Sequence, residues 1–74
     1  MTLLSGQPAA SYLVEQVDLP LELSRRLGAL GLMKGSRVTV LRKKRRGAMI
    51  ITVRGTRFAV GMGIAGHITI KEAG

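Results

Sequence analysis

Hydrophobic positions along this chain change period several times, and each change marks an element. Leu23, Leu27 and Leu30 stand at i, i+4 and i+7, one apolar stripe at helical period. Pro20 precedes the stripe, where its missing N–H costs nothing in a first helical turn. Glu22 then sits near the positive end of the helix dipole, and Arg25 and Arg26 nearer its negative end. The spacing predicts a helix over residues 21–30. Gly31 follows at the place where helices end in a left-handed residue, and Gly35 marks a second turn. From Ser36 the pattern switches to period two, with Val38 and Val40 on one side of a strand.

The rest of the chain reads as strands and turns. Residues 11–17 form the first strand, with Leu13 and Val17 on one face and Tyr12 and Val14 on the other; the alternation does not decide which face is buried. Residues 37–41 form the second strand, which runs into Arg42, Lys43, Lys44, Arg45 and Arg46 and then Gly47. Five consecutive cations do not lie in a core, so they are read as a solvated hairpin tip. The third strand, over residues 48–53, places Met49, Ile51 and Val53 on one face and Ile50 outward. Arg54-Gly55 turns the chain into a fourth strand over residues 56–60. Residues 61–66 are too rich in glycine for a strand, and a single 3₁₀-like turn is expected before a last strand over residues 67–71. Leu3 and Leu4 are placed as a half-turn plugging one end. Short strands, tight turns, one early helix and one late turn describe a mainly β fold, a small five-stranded barrel closed by its last strand.

Size and charge narrow the picture. Seventy-four residues make one domain, spanning 1–74, with a modest core that must be aliphatic: there is one Tyr, one Phe and no Trp. Cys is absent, which removes disulfides and thiolate metal sites and suits a reducing cytoplasm. No apolar run approaches the roughly 18 residues of a membrane span, and no signal-peptide layout opens the chain. A cytoplasmic protein is expected. The net charge of +8 points to a polyanion, an acidic protein face or an anionic membrane surface as partner.

Candidate chemistry is sparse. Glu15, Asp18 and Glu22 gather at one strand–helix junction and read as a helix start and a solvated strand face, not a catalytic pair. His67 has no Cys and no evident acid to orient it, so no nucleophilic set exists. His67 with Met33, Met49 or Met62 is a weak metal signal, since Met at strand positions fills cores. Gly61, Gly63 and Gly66 match G-x-G-x-x-G, but the eight remaining residues leave no room for a βαβ unit, so they mark a chain reversal. No enzyme, metal site or cofactor is expected. The basic run remains: it suits phosphate contacts, anionic lipid or plain solubility. Against nucleic acid, only Tyr12 and Phe58 offer stacking surfaces.

One longer pattern joins these features. Arg25-Arg26-Leu27, Leu30-Gly31-Leu32, Gly35-Ser36, Val38 and Val40 are followed by Val53-Arg54-Gly55, Phe58-Ala59-Val60 and a closing Ala65, Ile68 and Ile70. The whole resembles the FeoA family, small cytosolic proteins of bacterial ferrous iron uptake, over about residues 3–71. The R-R-L-x-x-L-G-L-x-x-G-x-x-V core is its specific part, while the later strand pattern is shared with many small barrels. The resemblance implies an SH3-like barrel with an inserted short α-helix. It also implies a non-catalytic accessory role, exerted by protein–protein contact on FeoB, the GTPase-linked membrane transporter of Fe²⁺. That places the protein in the cytoplasm, peripheral at the inner membrane. Candidate contact residues are Arg25, Arg26 and Leu27 on the helix, with Leu27 shared between core and interface, and Arg42, Lys43, Lys44, Arg45 and Arg46 at the tip. Gly31, Gly35 and Gly55 are structural turns. Two alternatives stay open: a nucleic-acid-binding barrel that uses the basic tip, and a free-standing relative of the SH3-like domain of iron- and manganese-dependent repressors. Members often carry proline and Gly-Asp-Pro between the second and third strands, where this chain has its short basic loop. Many also carry a charge after the fourth strand, where Gly61-Met62-Gly63 stands here. Outward-facing Ile50 adds a hint of homo-oligomers.

Overall fold

The computed structural model describes residues 1–44 and 47–73. A 3₁₀ turn, Leu3–Ser5, opens the chain and is followed by β1 (Ser11–Val17), α1 (Leu21–Ala29), β2 (Arg37–Lys44), β3 (Ala48–Val53), β4 (Thr56–Gly61), α2 (Met62–Ala65) and β5 (Ile68–Glu72). The five strands form one antiparallel sheet in the order β4-β3-β2-β1-β5. β5 pairs with β1, and the seam between β4 and β5 carries no ladder. Closure by the last strand therefore takes a looser form than expected: α2 and the opening 3₁₀ turn stand together at the seam, with α2 against β4 and the 3₁₀ turn against β5. Met1 and Thr2 cover the free edge of β5, where the Ile70 N–H donates to the Met1 carbonyl oxygen at 2.8 Å and Thr2 bridges Thr69.

One aliphatic core fills the curled sheet. Val38 and Val40 from β2, Met49, Ile51 and Val53 from β3, Val60 from β4, and Ile68 and Ile70 from β5 are all buried. Leu3, Leu27, Leu32 and Ala65 close it from outside the sheet. The open question in β1 resolves to Tyr12 and Val14 as the buried face. A tyrosine is tolerated there because its hydroxyl accepts a hydrogen bond from the Gln7 N–H at 2.8 Å.

The imperfect alternation of β1 has a local cause. Val14 pairs with Ile70 and Gln16 with Thr69, so Glu15 is an extra, bulged residue. The bulge resets the phase, and Val17, opposite Ile68, returns toward the core. Leu41 does the same in β2, between Val40 opposite Ile51 and Arg42 opposite Ile50. β2 consequently extends three residues further than the hydrophobic pattern predicts. Arg42, Lys43 and Lys44 are exposed strand residues and not part of a tip loop; Arg45 and Arg46 lie outside the described residues.

The corner after α1 sets the geometry of the helix. The Gly31 N–H donates to the Gly28 carbonyl oxygen, and the Leu32 N–H to that of Leu27, both at 2.9 Å. Gly31 holds φ 99°, so this is a Schellman ending with glycine in the left-handed position. The apolar stripe is corrected at its last member: Leu30 is 42% exposed, and Leu32 is fully buried in its place. Leu30 keeps right-handed helical dihedrals as the cap residue but stands at the open end of the helix, and reversal at Gly31 carries the next leucine inward to the core instead. Ser36, buried, ties the loop shut: its hydroxyl donates to the Gly31 carbonyl oxygen at 2.6 Å and accepts from the Met33 N–H at 3.3 Å. Gly35 (φ 91°) then turns the chain so that its N–H meets the Val14 carbonyl oxygen at 2.8 Å. The turn before β5 stands where it is expected but closes with an α-type bond, Gly66 N–H to Met62 carbonyl oxygen at 3.0 Å; 3₁₀ geometry occurs at Leu3–Ser5.

Candidate interaction surfaces

Helix α1 is amphipathic and short, and tertiary packing holds it in place. Leu27 is its buried anchor, with Leu23 and Leu19 half-buried against the same core. Ser24 steadies the first turn, its hydroxyl donating to the Leu19 carbonyl oxygen at 3.2 Å and its N–H to that of Pro20 at 2.9 Å. The opposite side carries Glu22, Arg25 and Arg26, all exposed, with Leu21 beside them. Pro20, Glu22, Leu23 and Arg26 line a small open hollow of about 280 Å³.

Leu27 needs correction as a contact residue. At 6% exposure its side chain belongs to the core, so it positions the arginines and offers a partner almost no surface. One residue that the sequence reading passed over joins this end of the helix. A Cβ added to Gly31 would stand 3.2 Å from the Arg54 Cδ, so the stem of Arg54 lies across the helix terminus. A cation near the carbonyl end of a helix is electrostatically favoured there. In the sequence Arg54 looks only like a turn residue; no signal short of the fold itself would have placed it.

Arg42, Lys43 and Lys44, the described part of the basic run, occupy a different region. β3 leads from the β2–β3 hairpin to the Arg54-Gly55 turn, and its six residues separate the two surfaces by roughly 17 Å at the usual strand rise. Arg42 lies on the outer face of the sheet opposite Ile50, while Lys43 falls on the core-facing side opposite Met49. The Lys43 ammonium reaches over the core rim and donates to the Leu4 carbonyl oxygen at 2.7 Å. Lys43 therefore closes the end of the 3₁₀ turn, a structural contact that a solvated tip would not make. Arg42 lines a broad, shallow hollow of about 740 Å³ with Leu41, Ile50, Arg57, Phe58 and Ala59.

The metal reading gathers no support from this arrangement. Met49 is fully buried while His67 and Met33 are exposed. Among the described residues, no group of three or more His, Asp, Glu or Cys side chains is placed to hold an ion. Among the same residues, no helix is long and apolar enough to cross a membrane. Gly31, Gly35 and Gly55 all adopt positive φ, as the turns at those places require.

Comparison with known proteins accounts for this architecture. The family model described as the FeoA domain matches residues 1–72. A putative Fe(2+) transport protein A from Methanocaldococcus jannaschii is 31% identical over 61 residues, covering 82% of this chain and 73% of that protein. The crystal structure of an iron uptake regulatory protein, FeoA, superposes with a TM-score of 0.87 at 29% identity, covering 97% of this chain and 96% of the other. The zinc complex of Stenotrophomonas maltophilia FeoA, described as a procaryotic SH3 domain protein, gives 0.80 at 32% identity, with 96% and 89% covered. The SH3-like architecture and the match over nearly the whole chain agree: the chain belongs to the FeoA family.

Proposed function

We propose that this protein is a non-catalytic accessory of ferrous iron uptake that acts by direct contact with a FeoB-type membrane transporter at its cytoplasmic side. Membership of the FeoA family supports the iron-transport setting, together with a relative named for Fe(2+) transport. The observation that carries the contact surface is α1: it is anchored by buried Leu27 and presents Arg25 and Arg26 outward, exposed and outside the core. Two guanidinium groups on a rigid helix suit carboxylates of a partner by bidentate hydrogen bonding. The excess of positive charge would speed encounter with an acidic face and favour residence near an anionic inner leaflet. Fe²⁺ in this reading is cargo of the transporter and not a ligand of this chain. Charge reversal at Arg25 and Arg26, followed by co-purification with the transporter, tests the assignment.

A further inference from the structure

The two ends of the sheet are treated differently. Met1 and Thr2 cover the edge of β5, whereas β4 ends the strand order at the other side with no strand paired beyond it among the described residues; α2 follows directly from its Gly61 end. We propose that this bare edge of β4 accepts an extended, acidic segment of a partner chain as a sixth strand.

The register defines what the edge offers. The two-residue turn Arg54-Gly55, with φ of 51° and 81°, closes β3 and β4 on the pair Val53–Thr56. Val53–Thr56, Ile51–Phe58 and Met49–Val60 are therefore the pairs that exchange hydrogen bonds. The Met62 N–H, donating to the Gly47 carbonyl oxygen at 2.7 Å, continues the same phase. Arg57 and Ala59, in the alternate positions, point their N–H and C=O groups away from β3. Among the described residues no group meets them. A row of such groups is a template for strand addition.

Side chains along the edge specify the occupant. Arg57 and Ala59 are exposed on the outer face, and Phe58 is half-buried on the core side. Residues of an added strand opposite Arg57 and Ala59 would share the outer face, and those between them would cover Phe58. Alternating acidic and apolar residues match that arrangement: a carboxylate beside Arg57, an apolar side chain over the ring. A second copy of this chain is disfavoured, because pairing β4 with β4 would bring together two molecules of net charge +8. The edge is distinct from the α1 surface and does not depend on it.

The probe is an end-blocked eight-residue peptide alternating glutamate with valine, with a lysine–valine peptide as counterpart, each added to the full chain. The glutamate peptide should bind, weaken as salt rises, and slow the hydrogen exchange of the Arg57 and Ala59 amides, while the lysine peptide should not bind. Arg57→Glu should weaken binding about tenfold or more. Ala59→Pro should abolish it while leaving the β3–β4 ladder intact, because the Ala59 N–H takes no part in that ladder. The Arg25→Glu/Arg26→Glu protein should still bind the peptide, which separates this edge from the transporter surface. No binding, equal binding of the lysine peptide, unchanged exchange at Arg57 and Ala59, or self-association through β4 would each overturn the proposal.

Discussion

The N–H of Leu32 donates to the carbonyl oxygen of Leu27 at 2.9 Å, spanning the helix ending, and both side chains are buried in the same core. This pair converts a nine-residue helix into a fixed platform. The hydrogen bond satisfies a terminal carbonyl, and the two leucines supply the hydrophobic contact that accompanies such endings. Whatever α1 presents outward is positioned by this inward clasp.

Gly31 is the hinge of the clasp. Gly31→Ala should destabilise the protein by about 1–2 kcal/mol, since an alanine at φ 99° carries a Cβ penalty that glycine lacks. The new methyl would also press on the Arg54 stem at 3.2 Å. Urea unfolding of Gly31→Ala with and without Arg54→Ala separates the two costs: the backbone part persists when the arginine stem is gone.

Ser36 is the second lock. Its hydroxyl joins the Gly31 carbonyl oxygen at 2.6 Å and the Met33 N–H at 3.3 Å in a site that is 4% exposed. Ser36→Ala leaves both backbone groups short of a partner and should cost about 1–3 kcal/mol. Thermal unfolding measures the loss, and Ser36→Thr, which keeps the hydroxyl, should lose less.

Near the N-terminus, Gly6 is required by space and not by conformation. Its φ is −62°, which any residue adopts, yet a Cβ there would stand 2.9 Å from the Val40 Cγ2 and 3.1 Å from the Leu3 carbonyl oxygen. Gly6→Ala should destabilise by about 1–3 kcal/mol through overpacking. In a double-mutant cycle Gly6→Ala with Val40→Ala should cost less than the sum of the two, because the methyl then enters the space the valine vacates.

Much of this fold is legible in the sequence because its signals are local. The strand of residues 48–53 alternates without interruption, and Met49, Ile51 and Val53 are its buried face. Gly31 and Gly35 announce turns that only positive φ permits. What stays hidden depends on interruptions of phase or on distant contacts. The bulges at Glu15 and Leu41 shift alternation by one residue without any glycine to mark them, and the first obscures the buried face of β1; the last three residues of β2 are hidden because they are cations in an exposed strand. Leu30 satisfies the helical period but is the cap residue at the open end of the helix, where reversal at Gly31 brings Leu32 into the core in its place. At the candidate site, exposure of Arg25 and Arg26 follows from the stripe opposite them. The approach of Arg54 to Gly31, and of Lys43 to Leu4, joins residues 23 and 39 positions apart, and no window along the chain can show that.

Contact between α1 and a FeoB-type transporter is measured by co-purification of the Arg25→Glu/Arg26→Glu protein. Both residues are exposed and neither packs in the core, so the double reversal should leave the protein folded, at a cost of about 1–2 kcal/mol from the lost interaction with the carbonyl end of α1. The variant should fold and be lost from the transporter fraction at moderate salt, while Lys34→Glu, outside α1, is retained. Undiminished co-purification of the folded double variant would contradict that contact.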